Sequence, residues 1–204
     1  MLAGFVMLSA SVSIFCAGQS RWPIDKDAHQ VGMYKASAIP ACRSGIPILT
    51  LDSLGPLHPG QTREALARAC PRGIYAWEWG NEGIPTPAIL LRFGDAVVEV
   101  EFPDTAASSR VYRITTESPA IRTAEGFGVA SRLDDITKTW GAPTFGEGEC
   151  VLYVWYNTRR GLSFRVRVPD AWECEDVLAV QEHGASRLPP VTTIRQVLLF
   201  QPSP

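Results

Sequence analysis

Aromatic side chains alternate along the stretch YAWEWGNEG, and they are the side chains of this sequence best suited to hold a ligand. Tyr75, Trp77 and Trp79 share one face of an extended strand, Glu78 lies on the opposite face, and Glu82 lies in the turn that follows. A row of exposed rings beside a carboxylate suits a carbohydrate or a peptide partner. The alternative is that the rings fill the space between a sheet and its helices, because large aromatic side chains dominate protein cores.

Two other strand-like stretches carry charges on their outward faces. Glu99 and Glu101 alternate with apolar residues in AVVEVEF, and Arg165 and Arg167 do the same in LSFRVRV. If these strands were neighbours in one sheet, the opposite charges could pair across it for roughly 0.2 to 1 kcal/mol each. If the arginines instead stand alone, they form a small basic surface suited to an acidic partner.

The stretch GFGVASRLDDITKTW places Gly126 and Gly128 just before a helical pattern, where glycines can cradle a phosphate. A dinucleotide-binding loop needs an apolar strand directly before its glycines, but the preceding ESPAIRTAE is polar and contains a proline. Ser131 stands where the third glycine would be. We therefore expect the glycines to turn the chain onto Ser131, which caps the helix while Asp134 completes a capping box.

No combination of residues points to catalysis or to a bound metal. The histidines are His29, His58 and His183, and Ser163 lies in GLSFR, which does not fit the G-x-S-x-G pattern of a nucleophilic serine. The segment ECEDVLAVQEH lacks the two-histidine spacing of a metal-binding helix, so we interpret it as a solvated acidic segment. We predict no catalytic residue, no metal site and no cofactor.

The N-terminal segment and the cysteines both indicate export. Residues 1–18 are uncharged and end in small residues, which is typical of a signal peptide. We expect the signal to be cleaved and the mature protein to be secreted or periplasmic, without a membrane span; an uncleaved anchor is the alternative. The later cysteines form an even set that is expected to be oxidised outside the cytoplasm. Three pairings are possible, and we favour the two that keep each bond within one half of the chain: Cys42 with Cys70, and Cys150 with Cys174.

The bulk composition is that of an ordinary globular protein. The chain has 204 residues, of which 46% are hydrophobic and 20% are charged, and its formal net charge is -2. These values exclude extensive disorder. Because the charge is nearly balanced and the arginines are scattered, we expect no affinity for nucleic acid.

Two stretches, residues 60–70 and 131–140, have the period of an amphipathic helix. Each is followed by short strands with alternating apolar residues. The turns FGDA and NTRRG between strands are short enough for hairpins, which implies antiparallel pairing. We expect Trp140, at the end of the second helix, and Trp155, in the strand VLYVWY, to be core residues.

The order of these patterns divides the chain. Residues 19–50 form an irregular lead-in, and Gly60 and Ala130 occupy matching places in front of the two helices, which indicates an internal repeat. We therefore predict an α+β fold of two tandem units, residues 51–118 and 119–204. Each unit consists of a helix and an antiparallel meander, with the helices packed on the antiparallel sheet.

The residues around both helix starts resemble a known motif. One set resembles the G-x-T-x-E-x-V/L opening of BamE-like (SmpA/OmlA) envelope domains, and consists of Gly60, Thr62, Glu64 and Leu66. A second set resembles the same motif ending in G-x-P, and consists of Ala130, Asp135, Ile136, Gly141 and Pro143. Two such units in tandem are also similar to the architecture of the beta-lactamase inhibitor protein family, in which a helical layer is stacked on an antiparallel sheet.

The resemblance implies a secreted or periplasmic module that binds or assembles other molecules without catalysis. The resemblance implies no particular partner. We expect the partner to be another envelope or extracellular protein, and the oligomeric state stays open. The alternative, from a different class, is an exported hydrolase whose site the sequence does not reveal.

Overall fold

Within the part of the chain that the structure describes, nine strands form one sheet and three α-helices pack on it, which confirms the predicted α+β class. The computed structural model describes residues 30–43, 45–79, 84–106, 108–159 and 161–200. The predicted signal at residues 1–18, His29 and Glu82 lie outside these ranges. No helix in the described ranges is long and apolar enough to cross a membrane.

Each half of the described chain contains a helix followed by four strands, with a third helix before the last strand and a short strand before the first helix. The first half contains β1 (Ala41–Arg43), α1 (Arg63–Ala69), β2 (Ile74–Trp79), β3 (Pro85–Phe93), β4 (Ala96–Glu101) and β5 (Arg113–Thr116). The second half contains α2 (Leu133–Trp140), β6 (Thr144–Gly148), β7 (Val151–Trp155), β8 (Leu162–Val166), α3 (Cys174–His183) and β9 (Ile194–Phe200). Short 3-10 turns lie at Val31–Met33, Ala36–Ala38 and Gly184–Arg187.

The two meanders meet edge to edge in a single sheet. Strands β2 to β5 are successive antiparallel neighbours, and so are β6 to β9. The last strand of each half pairs with the other, because β5 and β9 run antiparallel with Ile114 opposite Leu199. The short β1 adds to β3 in parallel orientation. The strand order is therefore mirrored about the contact between β5 and β9.

The two helices of the repeat begin in the same way. Gly60 and Ala130 both have left-handed backbone conformations, with φ of 81° and 67°. The amide of Gly60 donates to the carbonyl of Val111, and the amide of Ala130 donates to the carbonyl of Ile194. Each helix start is thus tied to the chain at the last strand of its own half. Ala130 occupies a conformation that glycine adopts with less strain.

The two helix starts differ in their side-chain caps. Thr62 caps α1, since its Oγ1 accepts an amide hydrogen bond from the first turn. The prediction that Ser131 caps α2 is wrong: the N-cap is Arg132, which makes no side-chain cap bond. The backbone of Ser131 pairs with Ile194 of β9, which holds it one residue before the N-cap. Its Oγ accepts instead from the amide of Gly128.

The main core lies between the sheet and the three helices. Leu66 of α1, Ile136 of α2 and Val177 of α3 are buried against inward-facing strand residues. Trp140 is 9% exposed and its ring stacks on Phe164 with 5.9 Å between the ring centroids. The prediction that Trp140 is a core residue is therefore confirmed.

The segment ECEDVLAVQEH forms α3, a helix that the sequence did not indicate, and its acidic side chains are exposed as expected. Glu173 and Asp176 form a capping box at its start, and acidic side chains in a first turn also interact favourably with the helix dipole. Val177 and Val180 are buried in the core. Two of the acidic residues thus stabilise the helix start, while two valines one turn apart provide its buried face.

Both favoured disulfides are present. Cys42 bonds to Cys70 and ties β1 to the C-terminal end of α1. Cys150 bonds to Cys174 and ties the β6–β7 turn to the first residue of α3. Each bond contributes roughly 3 kcal/mol, mainly by restricting the unfolded chain.

The lead-in covers one end of the sheet face that the helices leave free. Ile39 is 1% exposed and forms a small second cluster with Ala76 of β2 and Leu90 of β3. The Nε of Arg92 donates to the carbonyl of Ile39 at 2.7 Å and holds this segment in place. The rest of that face stays uncovered within the described residues.

We expect Ala130→Gly to raise the free energy of unfolding by about 1 kcal/mol, because it removes a left-handed alanine that costs roughly 1–2 kcal/mol. Gly60→Ala should lower the free energy of unfolding by a similar amount. Urea unfolding measures both changes. Ala142→Gly, in an exposed turn with ordinary φ, is the control and should not stabilise the protein. Stabilisation by Gly60→Ala would contradict the equivalence of the two turns.

Candidate functional site

The sheet face opposite the helices, which we call the open face, contains a groove of ≈ 640 Å³. Both halves of the chain contribute to its floor, because Thr115 of β5 and Ser163 of β8 both lie beside Leu198 of β9. We call this depression the open-face groove. A second depression of ≈ 640 Å³ adjoins it on the side of the lead-in. The residues common to both are Glu78, Glu99, Thr115, Arg165 and Gln196.

One row of side chains crosses the groove from end to end. The paired positions place Glu99, Thr115, Leu198, Ser163 and Trp155 side by side on β4, β5, β9, β8 and β7. Neighbouring strands lie about 4.8 Å apart, so the backbones at the two ends of this row are about 19 Å apart. The groove therefore has an acidic end at β4 and an aromatic end at β7.

A bidentate ion pair anchors the acidic end. The guanidinium of Arg113 donates from Nε to Oε1 of Glu101 at 2.5 Å and from Nη2 to Oε2 at 2.6 Å. The Glu101 side chain is 2% exposed. Because both carboxylate oxygens are engaged in the planar geometry that arginine and carboxylate share, Glu101 is neutralised inside the sheet.

Glu99 lies beside this pair without a cation of its own. Its Oε2 accepts a long hydrogen bond from Thr115 at 3.4 Å, and its Oε1 is buried with no hydrogen-bond partner among the described residues. Burial, followed by repulsion from Glu101 and Glu78, raises the pKa of Glu99 to about 8. This carboxyl is therefore protonated at neutral pH. Burial and the Glu101 carboxylate also raise the pKa of Glu78.

The aromatic end depends on glycines in the neighbouring strand. Tyr153 and Trp155 of β7 line the groove, and β6 places Gly146 and Gly148 beside them. An added Cβ at Gly146 would lie 2.6 Å from two ring carbons of Trp155. The indole therefore occupies the space that a β6 side chain would fill. The prediction that Trp155 belongs to the core is wrong, because alternation turns Val154 inward and leaves Trp155 half-buried on the open face.

Two residues of the predicted aromatic row of β2, Tyr75 and Trp77, face the helices. Tyr75 is 8% exposed in the main core, and Trp77 packs against that core with its ring edge-on to Tyr75 at 5.8 Å. Trp79 is the last residue of β2, and Glu82 lies outside the described ranges. The packing alternative thus accounts for Tyr75 and Trp77, and binding through this row stays a prediction. Glu78, on the opposite side of the strand, lines the open-face groove.

The predicted pairing between β4 glutamates and β8 arginines does not form. Strands β5 and β9 lie between β4 and β8, and Glu101 pairs with Arg113 of β5 instead. Arg165 lines the groove and makes no ion pair within the described residues, whereas Arg167 lies beyond the end of β8 and is exposed. Arg165 therefore fits the alternative in which the arginines do not pair with the β4 glutamates.

The sequence did not predict four residues that line the groove: Arg113, Thr115, Tyr153 and Gln196. The sequence pattern does indicate two of them, because alternation in RVYRITT places Arg113 and Thr115 on one face and the apolar Ile114 on the other. The sequence did not indicate that this strand lies between the acidic β4 and the distant β9.

The glycine loop before α2 has a structural role. The amide of Gly126 donates to the carbonyl of Thr123, and the amide of Phe127 donates to the Thr123 hydroxyl. The amide of Gly128 donates to Ser131, and a Cβ at Gly128 would lie 2.3 Å from the carbonyl oxygen of Ile121. The loop amides are thus engaged within the protein, and glycine is required for close backbone packing. Among the described residues, no three His, Cys, Asp or Glu side chains are placed to hold a metal ion.

Comparisons with known proteins do not assign the chain to a family. No protein-family model matches the chain, and no curated protein matches it. Among solved structures, the uncharacterized protein yfeY from Escherichia coli is similar at 13% sequence identity, with a TM-score of 0.47 over 79% of this chain and 100% of that chain. No functional conclusion rests on this similarity.

We expect Glu99→Gln to make the stability of the protein less dependent on pH. The pKa of Glu99 is about 8 in the folded protein against an ordinary value of 4.5. Its proton therefore contributes full stability below pH 4.5, and this contribution is lost as the pH rises through 8. The melting temperature of the wild type should fall between pH 6 and pH 9 by roughly 2–4 °C for each kcal/mol lost.

Thermal unfolding at pH 5, 7 and 9 measures this dependence in both proteins, and the Glu99→Gln curve should be flatter. Glu64→Gln is the matched control, because Glu64 is an exposed residue of α1 and the variant should follow the wild type. Parallel pH profiles for Glu99→Gln and the wild type would show that Glu99 does not titrate with a raised pKa.

Proposed function

We propose that this protein is an exported, non-catalytic binding or envelope-assembly module that holds another polypeptide in its open-face groove. The observation that carries the proposal is the difference between the two faces of the sheet. The helices pack on one face and form the main core with it. The other face keeps charged and aromatic side chains in a groove built by both halves.

The dimensions of the groove favour a polypeptide as the occupant. Its charged and aromatic ends are about 19 Å apart, which an extended peptide of about six residues would span at 3.3 Å per residue. The half-buried ring of Trp155 offers an apolar contact at the aromatic end. Arg165 of β8 offers a charged contact between the two ends. Half-buried aromatic and arginine side chains are enriched in protein interfaces.

Export, and membership in a BamE-like or beta-lactamase-inhibitor-like group, are parts of the same proposal. Two disulfides support a location outside the cytoplasm, where such bonds persist. The repeated order of a helix followed by four strands, with Gly60 and Ala130 in the same conformation, supports the relationship to tandem envelope domains.

Site-specific crosslinking tests the proposal. We expect a photoreactive benzoylphenylalanine at Ser163, on the groove floor, to crosslink a specific polypeptide from the envelope fraction of the producing cell. The same residue at Lys138, on the exposed side of α2, is the matched control and should not. Arg165→Glu and Trp155→Ala should each reduce the Ser163 crosslink at least tenfold without lowering the melting temperature by more than a few degrees.

Mass spectrometry of the adducts decides the outcome. Equal adducts from Ser163 and Lys138, or adducts that Arg165→Glu and Trp155→Ala leave unchanged, would refute binding in the groove. Cleavage of the captured polypeptide by the wild-type protein would instead favour the exported hydrolase.

A further inference from the structure

The acidic end of the open-face groove has more acidic than basic side chains. The described residues that line it include Glu78 of β2, Glu99 and Glu101 of β4, and Arg113 of β5. Arg113 is already bound to Glu101 through both carboxylate oxygens. Glu78 and Glu99 form no ion pair of their own with any described residue.

Glu78 and Glu99 also lie where the two depressions of the open face join, because both residues line both of them. A cationic side chain that enters from either depression therefore reaches the same two carboxyl groups. Glu99 has an oxygen, Oε1, that no described group satisfies, and a buried polar atom without a partner costs free energy that a ligand can recover.

We propose that the acidic end of the open-face groove binds a lysine or arginine side chain of the partner polypeptide between Glu78 and Glu99. This inference rests on the proposed function and names the chemistry of the partner. A cation at this place gives Glu99 the counter-ion that Glu101 already has in Arg113. Arg165, whose strand is separated from β4 by β5 and β9, remains free to contact an acidic or polar group elsewhere on the partner.

Binding of the cation is coupled to a proton. Glu99 carries its proton at neutral pH and must release it to buffer when the cation binds, so one proton leaves for each complex formed. Cation affinity should rise about tenfold from pH 7 to pH 9 and level off above that range. The charged groups that face Glu99 are Glu101 on its own strand, Glu78 on β2, Arg113 on β5, and Asp95, Glu117 and Arg165 around the adjoining depression.

Nuclear magnetic resonance with two isosteric probes tests the inference. We expect Nα-acetyl-argininamide to shift the amide resonances of Glu78, Glu99 and Thr115 in the wild-type protein, and more strongly at pH 9 than at pH 7. The neutral Nα-acetyl-citrullinamide should shift none of them at equal concentration. Glu78→Gln should weaken argininamide binding at least fivefold, while Glu64→Gln on α1 should leave it unchanged.

The outcomes separate this inference from the proposed function. Equal shifts from the two probes, shifts centred on other acidic residues, or an affinity independent of pH would each overturn the cation site. If the Ser163 crosslink persists in that case, the groove still binds a polypeptide, but by other chemistry. The wild-type pH dependence needs no variant, so a folding defect in Glu78→Gln would not obscure the result.

Discussion

The antiparallel pairing of β5 with β9 is the constraint on which the rest of the structure depends. Each half of the chain supplies a meander whose last strand would otherwise be an open edge, and an unpaired edge exposes backbone donors and acceptors. Joining the two edges closes both at once and places Thr115 beside Leu198. All three helices then pack on one face of a single sheet. The other face becomes a surface that neither half could form alone.

The electrostatics of the open face follow from this arrangement. Arg113 lies on β5, next to β4, and donates from Nε and Nη2 to the two carboxylate oxygens of Glu101, while Oε1 of the adjacent Glu99 has no hydrogen-bond partner among the described residues. A carboxyl that is buried next to other carboxylates keeps its proton, because desolvation and repulsion both oppose the charged form. In the proposed function, a positively charged group of the partner supplies the counter-ion that Glu99 lacks.

The aromatic end is held by different means. Gly146 leaves room for the indole of Trp155, so the ring lies against the β6 backbone and presents its other side to the groove. The disulfide between Cys150 and Cys174 fastens the β6–β7 turn to α3. The aromatic end thus differs from the titratable acidic end, and in the proposed function the two ends make distinct kinds of contact with one polypeptide.

Much of the fold could be predicted from the sequence, because the signals are local. Short stretches, or proximity along the chain, indicate the two amphipathic helices, the alternating strands, the matching places of Gly60 and Ala130 and both disulfide pairings. Helix α3 was missed, because Val177 and Val180 are too few to reveal a helical period among acidic residues.

The candidate site could not be predicted in the same way. The sequence by itself determined which side chains share a face, because successive residues of a strand point to opposite sides. Only the tertiary structure decided which face the helices cover, and so which rings are buried: Tyr75 faces the core, whereas Trp155 faces the groove. It also decided that Glu101 meets Arg113 and not Arg165. Both outcomes depend on pairing between strands far apart in the chain, and no local sequence pattern indicates which strands become neighbours.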